Sequence, residues 1–336
     1  MNSSFRFSSD TEIAAAADLI RHGHLVVVPT ETVYGLAADA TNAEAVAKIF
    51  EVKGRPSNNP LIVHVGSIDD IFRYSDITRS FDPKLVESRI RALAPLWPGP
   101  LSVILPKGRE IADTVCAGGD SVALRIPRHS VTLRLIELCQ RPLAAPSANP
   151  SMYISPTTSR HARDMLGNQV PCILEGGPCT VGLESTVLSL LDETPIILRP
   201  GAITAEEISS LLACEVSITS HTSAGSSPAL LLSPGLLAKH YAPRTPVVLL
   251  PELKSITPLP KKIGVIMFSD NTLPCPAEVV ERLSHTGDVE QIAAKLFAAL
   301  HSLDDMGLDL IVVDTCEPIG LGAAIMDRLI RASHRA

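Results

Sequence analysis

Three short segments of this 336-residue chain hold side chains that could do chemistry, and each adjoins an apolar run. The first, Pro29-Thr30-Glu31-Thr32-Val33-Tyr34-Gly35-Leu36, follows residues 25–28 and sets hydroxyls and a carboxylate at the C-terminal end of a strand, where open α/β sheets place ligands. An ordinary strand-to-helix turn accounts for it equally well, because Thr and Gly are common in turns. The second, Lys53-Gly54-Arg55-Pro56-Ser57-Asn58-Asn59-Pro60, precedes residues 61–65, which carry His64. Such a loop can bring a lysine, an arginine fork and amide donors to one polyanion. It can equally be a solvated basic end that complements a helix dipole. The third, Ala144-Ala145-Pro146-Ser147-Ala148-Asn149-Pro150-Ser151, is followed by Ser155-Pro156-Thr157 and a helix whose N-terminal amides could face an anion. A Pro-rich turn has the same composition. Two further pieces, Gly182-Leu183-Glu184-Ser185-Thr186 and Leu198-Arg199-Pro200-Gly201, add hydroxyls and an arginine. Arg125 lies in an otherwise apolar run, and its burial would demand an anionic partner. His64, taken alone, is more often a satisfied core residue than a catalyst.

The elements that must position these residues are legible as alternating patterns. Residues 25–28, 61–65, 101–105, 122–126, 186–190 and 196–198 read as strands. Residues 11–21 and 42–51 carry helical spacing, with Asn42 and Thr204 at N-cap positions. Two of the strands are joined through Asp192, Glu193 and Thr194, a connection short enough only for a hairpin, so the sheet is mixed. Residues 216–230 contain no Asp, Glu, Lys or Arg and are rich in Ser and Thr, which reads as linker. Strands at 246–250, 263–268 and 310–313, with helices near 289–300 and 322–332, predict a smaller α/β domain beyond it. The expected division is 1–215, a linker at 216–244, and 245–336.

Composition narrows the function classes. With 46% apolar and 19% charged residues the chain can bury a large core, and general disorder is excluded. A net charge of -7 argues against holding nucleic acid by overall charge, although a local basic site stays open. The longest apolar runs fall far short of the roughly 20 residues of a membrane span. The first ten residues lack the pattern of a secretory signal. Seven scattered cysteines, without CxxC or CxxH pairs, predict core thiols in a reducing cytoplasm and neither a disulfide framework nor a zinc site. The sequence has no GxxxxGK[ST], GxGxxG after the first strand, HExxH or GxSxG. Phosphoryl chemistry here would not be of the P-loop or dinucleotide-fold kind.

Together, PTETVYGL (29–36), KGRPSNNPLIVHV (53–65), SAN (147–149), ESTVL (184–188) and RPGAI (199–203) resemble the YrdC-like family of L-threonylcarbamoyladenylate synthases. Residues 233–243, SPGLLAKHYAP, resemble the SPGM-x-x-x-HYAP segment of its two-domain form, with Leu236 and Leu237 in place of the usual Met and a polar residue. The motifs cover residues 12 to 243; the remainder agrees in size and α/β pattern. The resemblance implies a YrdC-like twisted, mixed parallel/antiparallel sheet with flanking helices, plus a small Rossmann-like C-terminal α/β domain. It also implies a nucleotidyltransferase reaction: L-threonine and bicarbonate form a carbamate, which attacks the α-phosphorus of ATP to give threonylcarbamoyl-AMP and pyrophosphate. The product feeds a tRNA threonylcarbamoyl-transfer complex for t6A37 in ANN-decoding tRNAs. Such chemistry needs orientation and charge neutralisation more than covalent help.

By the same resemblance, Lys53, Arg55, Ser147 and Asn149 would grip the nucleotide, aided by Asn59, Ser121, Ser155, Arg199 and Tyr241. Threonine would meet Thr32, His64, Arg125, the backbone of Ala145, and Ser185, with Arg125 taking its carboxylate. Mg2+ would bind mainly through the ATP phosphates. Tyr241 would make the linker a lid. Two rival readings are an RNA binder, since YrdC-like folds have a concave basic face and weak RNA binding would follow, and a hydrogenase-maturation carbamoyltransferase. The acidic balance counts against the first, and the absent zinc-binding Cys pairs and acylphosphatase domain against the second. A C-terminal domain that is only an inert stabiliser is a third alternative.

Overall fold

Runs of β-branched residues become strands, and the stretches between them become capped amphipathic helices. The computed structural model describes residues 7–219 and 240–334. In chain order, α1 (Asp10–Arg21), β1 (Val26–Val28), β2 (Gly35–Asp39), α2 (Ala43–Lys53), β3 (Ile62–His64), α3 (Ile68–Tyr74), α4 (Pro83–Ala92), β4 (Leu101–Pro106) and β5 (Ser121–Arg125) come first. They are followed by α5 (Ser130–Cys139), β6 (Leu143–Ala144), α6 (Ser159–Leu166), β7 (Cys172–Ile173), β8 (Thr186–Ser189), β9 (Ile196–Arg199), α7 (Ala205–Leu212) and β10 (Ser217–Ile218). These strands form one mixed ten-stranded sheet in the order β10-β9-β8-β4-β5-β3-β6-β2-β1-β7. A second, four-stranded sheet is wholly parallel, ordered β11 (Val247–Leu249), β14 (Leu310–Val313), β12 (Ile263–Met267), β13 (Val279–Arg282). Helices α8 (Val289–Asp304) and α9 (Leu321–Ser333) pack with it. The fold is thus the expected α/β class, with a large mixed sheet and a small parallel one.

Caps fix where the helices begin. Asn42 accepts from the amides of Glu44 and Ala45, and Thr204 forms a capping box with Glu207, both as the sequence predicts. The segment after β1 differs from the strand-to-helix alternative, because β1 and β2 are an antiparallel hairpin with Val28 opposite Gly35. Thr30 closes that turn: its hydroxyl accepts from the amides of Thr32 and Val33 and donates to the Val33 carbonyl at 2.6 Å. Residues 217–218, assigned to the linker by composition, pair with β9 in the first sheet. Of the SPG…HYAP segment, only 240–243 lie within the described residues; 233–239, like the N-terminal residues 1–6, lie outside them.

The alternation of side chains decides which face of the first sheet does chemistry. On β3 and β5, Val63, Val122 and Leu124 enter the main core, whereas Ile62, His64, Ala123 and Arg125 point to the opposite face. The second sheet does not pack independently. Val33, Ile154 and Leu183 of the first part of the chain share one apolar cluster with Tyr241, Phe297, Leu300 and Ile325. Gly182, at φ +75°, permits this contact, because a Cβ there would come within 2.5 Å of the Ala293 carbonyl oxygen on α8.

Candidate active site

A pocket opens where β3, β5 and β6 meet the β1–β2 turn. Register places His64 beside Arg125 across the β3–β5 pair, and Ser102 beside Arg125 on the other flank. The Arg125 guanidinium donates to the Glu31 carboxylate at 2.7 Å, to the Thr32 hydroxyl at 3.0 Å and, through Nε, to the Gly99 carbonyl at 3.2 Å. Its buried anionic partner is therefore Glu31, and not solely a ligand carboxylate as the sequence reading has it. Three of the five guanidinium N–H groups are engaged in this way, leaving two for a ligand. Burial pushes Glu31 upward, but the charge and hydrogen bond of Arg125 overcome it and hold the carboxyl below its usual range. His64 is fully enclosed; burial first and the Arg125 charge second lower it to about 3, so the ring is neutral near pH 7.

The Lys-x-Arg motif divides its labour. Lys53, in the last turn of α2, buries its ammonium against the carbonyls of Ser147 and Asn149 and the Asn149 side-chain oxygen. It thereby clamps the SAN loop. Burial, and then the charge of Arg55, lower its pKa well below the ordinary lysine value. Arg55 donates to the Asn59 carbonyl and side-chain oxygens and to the Pro60 carbonyl at 2.6–3.0 Å. Burial and the neighbouring Arg199 lower its pKa to about 10. Arg199 in turn donates to the Ser185 carbonyl at 2.9 Å and hydroxyl at 3.1 Å, and that hydroxyl lies 2.8 Å from Ser102. Gly201 makes this possible. A Cβ there would meet the Thr186 amide nitrogen at 2.3 Å.

Thr32, Arg55, His64, Arg125, Ala145, Ser147, Ser185, Arg199 and Tyr241 all line the pocket. Lys53, Asn59, Asn149 and Ser155 stand behind the wall and hold it, Ser155 by donating its hydroxyl to Glu184. Ser121 lies on the same face of β5 as Arg125 but four residues away, roughly 13 Å along the strand. It lies outside the pocket lining. The α6 terminus is capped by its own Thr158, which accepts from the His161 amide, and lies outside the lining.

Sequence reasoning missed four contributors. Glu31 was visible as a carboxylate between two threonines, yet only the fold reveals its pairing with Arg125, 94 positions away. Glu184 sits inside ESTVL and His240 beside Tyr241, so both lay within the motifs without a role. Arg328, on α9, has no local signal. It donates to Glu184 at 3.0 Å and stacks its guanidinium 5.4 Å from the Tyr241 ring. Among the described residues, four buried polar atoms in or beside the pocket have no hydrogen-bond partner: Asn59 Nδ2, His64 Nδ1, His240 Nδ1 and the Tyr241 hydroxyl. Such groups are costly in an apolar interior and ordinarily mark a ligand site.

Arg55, Arg125 and Arg199 line one pocket of this α/β protein together with a neutral His64, an arrangement of buried cations that can hold anionic ligands. Residues 18–201 match the family model described as telomere recombination, which groups Sua5, YciO and YrdC. Residues 203–334 match that of the threonylcarbamoyl-AMP synthase C-terminal domain. The threonylcarbamoyl-AMP synthase of Pyrococcus abyssi is 39% identical over 96% of this chain and 94% of its own length. That of Bacillus subtilis is 38% identical over 97% and 94%. The crystal structure of P. abyssi Sua5 complexed with L-threonine superposes with a TM-score of 0.86 at 38% identity, covering 98% of this chain and 96% of that one. The chain belongs to the Sua5/YrdC family of threonylcarbamoyl-AMP synthases, in its two-domain form.

Proposed function

We propose that the pocket performs adenylyl transfer on a threonine carbamate, which makes the enzyme a nucleotidyltransferase. The amino group of L-threonine adds to bicarbonate with loss of water, forming a carbamate. A carbamate oxygen then bonds to the α-phosphorus of ATP while the bond to the β-phosphate bridge breaks, and pyrophosphate leaves. The observation that carries this reading is the set of buried polar atoms without partners, Asn59 Nδ2, His64 Nδ1, His240 Nδ1 and the Tyr241 hydroxyl, in or beside a pocket lined by buried Arg55, Arg125 and Arg199. Arg125, its charge offset by Glu31, offers two N–H groups to the threonine carboxylate, and neutral His64, Thr32, Ser185 and the Ala145 backbone surround the remainder. Arg55 and Arg199, like charges in a buried wall, take the phosphates, where they offset the charge that grows in the transition state. Asn59, Ser121, Ser147, Asn149, Ser155 and Tyr241 complete the nucleotide side, and Lys53 acts through the loop it clamps.

Mg2+ enters with ATP and neutralises phosphate charge. The chain fits such an ion held by the nucleotide, because the two nearby carboxylates, Glu31 and Glu184, are engaged by Arg125 and Arg328. Threonylcarbamoyl-AMP is a reactive mixed anhydride, which supports direct handover to a tRNA threonylcarbamoyl-transfer complex. All seven cysteines are free thiols, which favours a cytoplasmic setting, and no helix among the described residues is long and apolar enough to cross a membrane. The division into 1–215, 216–244 and 245–336 is proposed with one adjustment, the inclusion of β10 in the first unit.

The test is pyrophosphate release from Mg-ATP with and without L-threonine and bicarbonate, for the native enzyme and a Lys53→Ala, Arg55→Ala double variant. Release that requires both co-substrates and is lost in the variant is the expected result. Release that ignores threonine or bicarbonate would overturn it.

A further inference from the structure

We infer that Arg328, on the last helix of the C-terminal unit, is a positioning residue for the nucleotide end of the pocket, an inference that rests on the assignment of that end to ATP. Arg328 is 1% exposed, and its guanidinium crosses to the first sheet's side of the molecule. Nε donates to a Glu184 carboxylate oxygen at 3.0 Å, and Nη1 donates to the Pro200 carbonyl and to Asp327, each at 2.8 Å. The other Glu184 oxygen accepts the Ser155 hydroxyl. One cation thus ties together the ESTVL segment, the RPG turn and the loop that carries Ser155.

The same guanidinium fixes Tyr241. That ring is stacked between Arg328 and Phe297 of α8, the latter with centroids 5.6 Å apart, while its backbone sits at φ +61°, a conformation unfavourable for a tyrosine. A strained, fully buried ring with an unpaired hydroxyl persists only where surrounding packing over-determines it. Both clamps come from the C-terminal unit. By contrast, the partners of Arg125 (Glu31, Thr32 and Gly99) all lie in the first unit. The charged hydrogen bonds of Arg328 end on Glu184 and Pro200, and through Glu184 on Ser155, and none of them touches Arg125.

The experiment uses the full-length enzyme carrying Arg328→Lys, which keeps the charge and loses the fork. Steady-state pyrophosphate release is measured with ATP and threonine varied separately. The KM for ATP should rise about tenfold, as loss of one charged hydrogen-bond set implies, with a clearly smaller rise in the threonine KM. In a Tyr241→Ala background the same substitution should have a clearly smaller effect on the ATP KM, since part of its action passes through that ring. A second variant, Glu184→Gln with Arg328→Met, removes both buried charges while keeping the volume filled, and should show the same split. An unchanged ATP KM, an equal rise in both constants, or unfolding of both variants with threonine binding lost would overturn the inference. If Lys53→Ala, Arg55→Ala abolishes release while Arg328→Lys leaves the ATP KM unchanged, the assignment of the nucleotide end stands and the role of Arg328 falls. If neither changes the ATP KM, both fall.

Discussion

At one end of the pocket a buried arginine meets a carboxylate; at the other, two buried arginines face each other. The Arg125–Glu31 pair, with both side chains under 5% exposed, is electrically closed before any ligand arrives. Threonine, a zwitterion, can join such a pair without adding net charge to the interior. Arg55 and Arg199 make the opposite arrangement, in which hydrogen bonds to neutral carbonyls and amides hold cations beside each other. Burial lowers the pKa of both, which is the signature of charge that a polyanion would stabilise. On the proposed assignment, the neutral end is preassembled, whereas the end proposed for phosphates keeps its charge unbalanced until a polyanion binds.

The comparison is broken most directly at Arg125. Arg125→Ala strands Glu31 in the interior, and loss of one partner of a buried pair costs about 3–5 kcal/mol, so thermal unfolding should show a large drop in melting temperature. Arg55→Met should behave differently. It forfeits hydrogen bonds to Asn59 and Pro60 but also relieves its repulsion with Arg199, so a loss below about 2 kcal/mol is expected. Its mark should be functional: saturating Mg-ATP, which stabilises the native enzyme by mass action, should no longer raise the melting temperature. Similar stability losses for the two variants would erase the distinction.

A smaller effect sharpens the same contrast at Tyr241. Its hydroxyl is buried and unpaired, so Tyr241→Phe removes a desolvated group and should leave stability unchanged or raise it by up to about 1 kcal/mol. The ATP KM should nevertheless rise severalfold. Stability and function moving in opposite directions is expected where a site is kept unsatisfied for its ligand. If Tyr241→Phe instead destabilises the fold and leaves the ATP KM alone, the hydroxyl has a structural partner and no part in nucleotide binding.

How much of this was legible in the sequence depended on range. Strands β1, β3, β4, β5, β8 and β9 were visible because each is an apolar, β-branched run, and the caps of α2 and α7 because Asn42 and Thr204 act within one turn. Strand β2 was hidden, since Gly-Leu-Ala-Ala-Asp has weak strand propensity and becomes a strand through burial between β1 and β6. Strand β10, two residues of a Ser- and Thr-rich stretch, owes its existence to the β9 edge. In the site, the motif residues were readable because they cluster along the chain. The pairing of Glu31 with Arg125, the role of Lys53 as a loop clamp and the arrival of Arg328 from α9 were not, because each is a contact between distant segments. Charge balance in a buried site is a property of the fold, and Arg125 alone announced only that some anion was needed.

A pH-dependent effect concerns the neutral histidine at the closed end. His64 has its folded pKa depressed from 6.5 to about 3, so between those values the unfolded chain binds a proton that the folded chain refuses. Stability therefore rises with pH through this window and is lost as pH falls from about 6.5 toward 3, by at most roughly 1.4 kcal/mol per pH unit for one group. Glu31, depressed below 4.5, adds its own loss only at lower pH. The interval from pH 6.5 to 4.5 thus separates the histidine from the carboxylate. His161, lowered to about 4, titrates in the same interval, so the test is a difference between proteins and not a single curve. Chemical denaturation of the native enzyme and of His64→Asn across that interval should give a shallower slope in the variant. Parallel curves would mean that His64 is already protonated in the folded protein, and the threonine end would then carry an extra positive charge that removes its contrast with the nucleotide end.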